Sequence, residues 1–321
     1  MFLLLLLPLL ASALSPLSQE RFLWESFVRR HQKVYATPQE EARRFAVFVD
    51  NLRLLEERAA REQGSAVFGV DAFADVSRDE FRSSRLMDQK VLTRKTALAS
   101  KEVPAQAYEL GDLPATFDWR QHHAVTAVKD QEACGSCWAF STAANIESVF
   151  AVKMGKLLSL SEQQIVDCAT DQDGCGGGWP IQAMAGWEAW NDYAYHGVDG
   201  RCRFKRTDVV VQISDAVALS HDEQKIAAYL VHHGGVSVAF NAADSIMGYT
   251  SGIVKLSAEA CNPKTPDHAV LLVGYGSEEG VPFWIVKNSW GAAWGENGFF
   301  RIFRGANTCG IADNAVSAVV A

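Results

Sequence analysis

The chain has 321 residues and seven cysteines, and all seven lie after residue 133. An odd number of cysteines in an oxidising compartment leaves one thiol without a partner, and the other six could pair in fifteen ways. Two of them, Cys134 and Cys137, stand three residues apart in the stretch QEACGSCWAF. A zinc site is a weak interpretation, because no second pair follows at metal-ligand spacing. The cysteines therefore predict a disulfide-stabilised second part of the chain.

The N-terminal residues indicate the compartment. Residues 1–10 read MFLLLLLPLL, an apolar run too short to span a bilayer, which needs ~20 residues. Ala11 and Ala13 follow as an A-x-A-like cleavage site, so we predict a signal peptide over residues 1–13; a buried N-terminal helix is the alternative. We therefore expect a protein of the secretory pathway, extracellular or in a lysosome or vacuole, without stable membrane association.

The remaining chain divides near Asp112. The net charge of −8 falls entirely after this residue and gives no reason to expect a nucleic-acid partner. Before it, the sequence predicts a helix from Pro38 to about Gln63, with Thr37 as its cap. The buried face of this helix is predicted to carry Phe45, Phe48, Leu52 and Leu55. Residues 86–107 lose the helical pattern and are expected to form an extended linker.

The second part begins with a helix and continues with strands. An apolar stripe predicts a helix from Cys137, ended by Gly155. Four short stretches bounded by Gly or Pro predict strands: VSVAF, HAVLLVGYG, PFWIVKNSW and GFFRIFRG. A helical half followed by a β half is an α+β arrangement.

The position of Cys137 favours chemistry. A thiolate is the reactive form of cysteine, and the N-terminus of a helix lowers the pKa of a thiol. Amide hydrolysis by a thiol further needs a base, a group that orients the base, and donors for the oxyanion. No metal or organic cofactor is implied by this chemistry.

CGSCW resembles the signature of the papain family of cysteine peptidases. The resemblance extends in family order through LPATFDWR, VKDQ, LSEQQIVDC, GCGGGWP, DHAVLLVGYG and WIVKNSWGAAWGENGFFRI. It implies Cys137 as the nucleophile, His268 as the general acid–base and Asn288 as the group that orients the imidazole. Gln131 would donate to the oxyanion, although Glu132 stands where the family usually has glycine and could disturb this loop or face solvent.

The resemblance also resolves the pairing of the other cysteines. It implies the disulfides Cys134–Cys175, Cys168–Cys202 and Cys261–Cys309, which leaves Cys137 as the free thiol. Substrate contacts are implied in the same way. Gly177 and Gly178 would present their backbone to an extended peptide, and Trp290 would cover the His268–Asn288 hydrogen bond. The pocket for the second residue before the cut would be lined by Trp179, Pro180, Ala239, Pro266, Ala269 and Asn314, and we expect it to prefer an apolar side chain.

The first part resembles the propeptides of cathepsin-L-like peptidases. Its two motifs fall on Glu40, Arg44, Phe48, Asn51 and Leu55, and on Gly69, Asp71, Phe73 and Asp75. The resemblance implies an inhibitory prosegment over residues 14–112 that lies backwards in the cleft; a folding aid or an attached helical domain is the alternative. Asp75 is expected to hold the prosegment at neutral pH. Asp71 replaces a usual Asn, so repulsion between the two carboxylates could raise one pKa, or both could face solvent.

The resulting expectation is a cysteine endopeptidase made as a zymogen. Its mature domain, residues 113–321, would have a papain-like two-subdomain α+β fold, with a helical half and a β-barrel-like half, preceded by a helical prosegment. The implied partners are protein and peptide substrates, the chain's own propeptide and cystatin-type inhibitors, and the implied state is a monomer. The rival interpretation is a catalytically silent papain-fold binding or inhibitor protein, but such relatives typically lack the nucleophile.

Overall fold

The computed structural model describes residues 16–88, 90–91, 101–104, 108, 111–180, 187–242 and 245–321. The predicted signal peptide lies outside these residues. Within the described part of the chain, no helix is both long enough and apolar enough to cross a bilayer.

Six α-helices are described, three in the first part of the chain and three in the second. The predicted helix after Thr37 is confirmed: the Thr37 side chain accepts from the backbone of Glu40, and the helix ends at Arg61. The helix from Cys137 is also confirmed, and Gly155 closes it in the left-handed conformation, where glycine costs least. The helices are α1 (Pro16–Arg30), α2 (Pro38–Arg61), α3 (Arg78–Arg85), α4 (Cys137–Met154), α5 (Glu162–Cys168) and α6 (Glu223–His233).

The four predicted strand segments are confirmed and belong to one sheet of nine strands, in the order β2-β6-β13-β7-β10-β11-β12-β9, with β3 paired to β10. Its path ends at β2 and β9, so among the described strands the β half is an open sheet rather than a closed barrel. The strands are β1 (Val67–Phe68), β2 (Lys101–Glu102), β3 (Phe117–Asp118), β4 (Trp187–Glu188), β5 (Val209–Val211), β6 (Ile213–Ala218), β7 (Val236–Phe240), β8 (Tyr249–Ser251), β9 (Ile253–Val254), β10 (His268–Glu278), β11 (Val281–Lys287), β12 (Phe299–Phe303) and β13 (Ala315–Val320).

The first part of the chain has its own aromatic core. Trp24 packs against Phe27, Phe45 and Phe48, with ring centroids 5.4–5.6 Å apart. Asn51 shares this buried face of α2 and donates to the carbonyls of residues 74 and 76. The predicted apolar face is therefore real, but one of its buried positions holds an amide that ties α2 to the following loop.

Two short strands fasten this first part to the second. Strand β1 pairs antiparallel with β8, and strand β2 pairs in parallel with β6 at the edge of the large sheet. Residues 101–102 of the predicted linker are thus a strand, and residues 90–91 are helical. The prediction of an extended linker was therefore only partly right, because these short elements depend on partners far away in sequence.

Candidate active site

Helix α4 begins at the free thiol. Three disulfides join Cys134 to Cys175, Cys168 to Cys202 and Cys261 to Cys309, as expected, and Cys137 is the free and buried cysteine. The backbone N–H groups of Cys137 and Trp138 at the helix N-terminus favour the thiolate, as does the N–H of Ala269. Burial outweighs these donors and raises the pKa of Cys137 to about 12.

His268 is the first residue of β10, and the backbone N–H of the next residue, Ala269, contacts the Cys137 sulfur, so the strand begins beside the thiol. Its Nε2 lies 2.7 Å from Oδ1 of Asn288. The same oxygen accepts the backbone N–H of Ser289, so Nε2 carries the proton. His268 Nδ1 has no hydrogen-bond partner among the described residues and is free to act as a base. Burial lowers the pKa of His268 to about 4.

Trp290 forms an aromatic wall beside this pair. Its ring centroid lies 4.7 Å from that of His268. On the other side, Phe81 and Phe73 of the first part meet Trp290 edge-on at 5.0 and 6.0 Å. The His268–Asn288 contact is therefore kept away from water by an indole that the first part of the chain also uses as a docking surface.

Gln131 is fixed at the entrance to α4. Its Nε2 donates to the carbonyl of Cys134 at 2.8 Å, and its Oε1 accepts from the Ser289 hydroxyl at 2.6 Å. A further bond runs from Nε2 to the carbonyl of Arg85, at 2.9 Å. Because Arg85 belongs to the first part of the chain, a carbonyl of that part occupies the donor that was expected to serve an oxyanion.

The first part of the chain continues from Arg85 along the second part. Met87 donates its N–H to the carbonyl of Asp267 at 2.8 Å, and Asp88 donates to Gly176 at 2.9 Å. A side chain at Gly177 would come within 3.0 Å of the Met87 side chain. Glycine suits this position because φ of 124° disfavours other residues and because the first part of the chain approaches closely.

Gly178 has a different reason to be glycine. A Cβ at this position would lie 2.6 Å from the Trp138 ring, so the residue is selected by packing inside the second part. Of the other predicted wall residues, Trp179, Pro180, Ala239 and Ala269 are buried, and Pro266 and Asn314 are partly buried. Ala239 and Ala269 are direct neighbours across β7 and β10. Ala315 pairs with Val238 of β7, so Asn314 lies next to the Ala239–Ala269 pair.

Glu132 follows Gln131 with φ of 55°, the left-handed region that favours glycine. Its side chain is exposed, and its carboxylate lies 3.1 Å from where a Cβ of Gly197 would be. The exposed alternative for Glu132 therefore holds, and its backbone N–H is satisfied by Asp130 at 2.8 Å.

Three contributors were not predicted from the sequence. The Ser289 hydroxyl holds Gln131, and Asp267 supplies the carbonyl that binds the backbone of Met87. Tyr195 donates to the carbonyl of Gln131 and lies 2.7 Å from the Ser136 hydroxyl. The stretch Tyr193-Ala194-Tyr195 could have indicated such a role, since buried tyrosines use their hydroxyls.

Asp71 and Asp75 are both buried, so the solvent-facing alternative for these carboxylates is wrong. Asp75 binds Lys33 at 2.8 Å and Tyr35 at 3.0 Å. Asp71 accepts from the backbone of Phe73 at 2.9 Å and, across the seam between the two parts, from Gly248 at 3.2 Å. Burial raises the pKa of Asp71 to about 6. The cause is desolvation rather than repulsion from Asp75.

Comparison with known proteins agrees with this geometry. The family model described as papain family cysteine protease matches residues 113–319, and the one described as cathepsin propeptide inhibitor domain (I29) matches residues 24–81.

The chain is similar to cathepsin F of Drosophila melanogaster, at 39% identity over 93% of this chain and 50% of the relative. It is also similar to cathepsin F of Mus musculus, at 40% identity over 93% of this chain and 64% of the relative. The chain thus spans about half to two thirds of the length of these two relatives.

A solved structure of digestive procathepsin L 3 from Tenebrio molitor larval midgut superposes with a TM-score of 0.80 at 34% identity, over 94% of this chain and 99% of that one. The chain therefore belongs to the papain family of cysteine proteases and carries a cathepsin-type propeptide inhibitor domain ahead of the protease domain.

Proposed function

We propose that this protein is a cysteine endopeptidase, made as a zymogen in the secretory pathway and delivered to a lysosome, a vacuole or the outside of the cell. Residues 1–13 would be removed as a signal peptide and residues 14–112 as the propeptide, leaving residues 113–321 as the mature enzyme. The observation that carries the proposal is a free Cys137 at a helix N-terminus, against the strand that begins with the hydrogen-bonded His268.

The proposed reaction follows from these positions. Nδ1 of His268 takes the thiol proton, and the Cys137 thiolate attacks the carbonyl carbon of the scissile amide. Gln131 Nε2 and the backbone N–H of Cys137 hold the oxyanion. The imidazolium then protonates the leaving amine, and His268 activates a water that hydrolyses the acyl-enzyme. Asn288 keeps the proton on Nε2, so that Nδ1 faces the reaction.

The preference for the residue two before the cut is proposed to be Leu, Val or Phe. Ala239 and Ala269 give apolar walls, and Asn314 beside them carries no charge that could hold Arg. Protein and peptide substrates, the chain's own propeptide and cystatin-type inhibitors are the proposed partners of a monomeric enzyme.

A vinyl-sulfone probe tests this proposal after the full chain has been cleaved to the mature enzyme at acidic pH. The probe should label Cys137 and no other residue, and Cys137→Ala and His268→Ala should each abolish peptide hydrolysis. His221→Ala, at an exposed histidine, should retain it. A peptide library should show the apolar preference. No labelling and no hydrolysis would instead favour a catalytically silent binding protein, and a clear Arg preference would show that the pocket is wrongly assigned.

A further inference from the structure

The residue that blocks Gln131 also makes an ion pair at the edge of the cleft. Arg85 places its carbonyl on Gln131 and its guanidinium on Asp130, with Nη1 2.7 Å from Oδ1. The Arg85 side chain is 17% exposed, and its guanidinium carbon lies 4.8 Å from the centre of the Phe73 ring. The prosegment therefore shows a cation already bound at this edge.

Asp130 is held in place by the protease domain itself. Oδ1 accepts the backbone N–H of Glu132 at 2.8 Å, and the backbones of Asp130 and Trp290 form an isolated antiparallel bridge. The neighbouring Lys129 does not neutralise it, because that ammonium points inward to Glu147 and Glu162 at 3.1 and 2.6 Å. Removal of the prosegment would leave the Asp130 carboxylate, 45% exposed with Arg85 in place, facing the cleft without this guanidinium.

The side of the cleft follows from the proposed chemistry. His268 must protonate the amine that leaves, so the residues after the cut depart past His268 and the Trp290 ring beside it. Asp130 is bridged to Trp290, and therefore lies on the leaving-group side of the scissile bond. The prosegment runs in the opposite direction to a substrate, but its arginine reaches the same edge.

We infer that Asp130 is a specificity-determining residue that favours Arg or Lys at the first or second position after the scissile bond. This inference rests on the proposed peptidase function and concerns the half of the cleft that the predicted apolar pocket does not cover. The expected effect is modest, because a half-exposed ion pair contributes little and is screened by salt.

Quenched fluorescent peptides provide the test, with Leu two residues before the cut and Arg, Gln or Glu at each of the two positions after it. Converted wild-type enzyme should cleave one Arg peptide with a kcat/KM about 2–5 times that of its Gln counterpart. The Asp130→Asn variant, which keeps an oxygen acceptor for the Glu132 N–H, should reduce that ratio to about 1. Asp130→Lys should favour Glu instead. Glu279→Gln, at an exposed hairpin turn, is the control and should retain the wild-type ratio.

Salt provides a second prediction: the Arg preference should fall as ionic strength rises. Efficient cleavage of all peptides without an Arg preference, or a preference that survives Asp130→Asn, would overturn the role of Asp130 while leaving the peptidase proposal intact. Absence of any cleavage would count against the peptidase itself.

The ion pair can also be tested without activity in the uncut full chain. Thermal unfolding of Arg85→Gln, Asp130→Asn and the double variant, each with Cys137→Ala, should reveal coupling between the two residues. Additive effects would overturn the claim that Asp130 binds a cation here.

Discussion

The pKa values of Cys137 and His268 are shifted in opposite directions in the closed precursor, and burial is the main cause of both shifts. The thiol pKa is raised to about 12 and the imidazole pKa is lowered to about 4, so both groups are neutral from about pH 5 to pH 8. A neutral thiol is a poor nucleophile. We therefore expect the prosegment to inhibit by keeping water away from the thiol as well as by blocking the cleft.

This gives a prediction for thiol reactivity. Iodoacetamide should alkylate the precursor slowly at pH 7, with a rate that rises about tenfold per pH unit from pH 7 up to about pH 11. After removal of the prosegment, the rate at pH 7 should increase by at least about 100-fold. Cys137→Ala should take up no label, because the other six cysteines are in disulfides. Equal neutral-pH rates before and after conversion would contradict this account.

Asp71 gives a second residue-scale prediction, with a sign that corrects a simple expectation of acid release. Its pKa is about 6 in the closed precursor and would return towards the ordinary value of 3.8 on release. Protonation thus favours the closed form: this contribution is fully present below about pH 3.8 and is lost as the pH rises through about 6. Asp71 therefore loosens the prosegment near neutral pH and opposes its release by acid.

The Asp71→Asn variant removes this charge and keeps an oxygen acceptor for one of the two N–H groups. At pH 7 we expect the prosegment to be held more tightly than in the wild type. The gain is at most about 3 kcal/mol, reduced by the cost of one weakened hydrogen bond, and it vanishes near pH 4. Cleavage of the precursor to the mature enzyme should accordingly require a lower pH than in the wild type. The measurement is conversion rate against pH, and identical profiles for the two proteins would exclude a role for Asp71.

At the scale of elements, helix α3 is the part of the prosegment that covers the site of Cys137 and His268. Ser77 caps it through a reciprocal pair of bonds with Glu80, which sets where the helix begins. Phe81 is fully buried between Phe73 and Trp290. The helix is short, so its position depends on this packing rather than on its own helical propensity.

Phe81→Ala should therefore open the cleft. Truncation of a fully buried Phe typically costs about 3–5 kcal/mol, and here the loss falls on the contact between prosegment and protease. The precursor should be labelled by an active-site probe much faster than the wild type at pH 7. Phe22→Ala, which removes a ring that is 63% exposed on α1, is the matched control and should leave the labelling rate unchanged. Equal rates for the two variants would show that α3 does not cover this site.

Elements with a local sequence signal were predictable, and the two-residue strands that depend on distant partners were not. Helix α2 has a cap and a periodic face, and α4 has an apolar stripe and a terminal glycine. Strands β1 and β2 have two residues each and exist only because the edges of β8 and β6 accept them. Two residues are too few to show the alternating apolar and polar pattern by which a strand is recognised in a sequence.

The same distinction applies to the site. The motifs identified Cys137, His268 and Asn288 as site residues, because the family resemblance assigns them residue by residue. The Ser289 bond to Gln131 spans 158 positions of sequence, and the Arg85 bond to Gln131 spans 46. Such contacts are set by the packed fold, so a linear reading could place the prosegment in the cleft but could not name the residue that blocks it.

At the scale of the whole molecule, closure combines groups with opposite pH dependence. Glu80 accepts from the Ser77 backbone and is bound by Arg43 and Arg44, which holds its pKa down at about 2. Its contribution is present above about pH 4.5 and is lost as the pH falls towards 2. Asp75, bound by Lys33 and Tyr35, ties the connection between α1 and α2 to the segment before α3.

The prosegment should therefore hold most firmly near about pH 4 and loosen on both sides. Thermal unfolding of the uncut Cys137→Ala precursor from pH 3 to pH 8 tests this directly. Glu80→Gln should flatten the acid side of the profile and Asp71→Asn the neutral side, because each removes one of the two titrations. Asp75→Ala should lower stability at neutral pH by removing the acceptor for Lys33 and Tyr35. A profile that only falls with acid in all four proteins would show that Asp71 does not oppose release, and conversion of the Cys137→Ala chain by itself would show that Cys137 does not cut the linker.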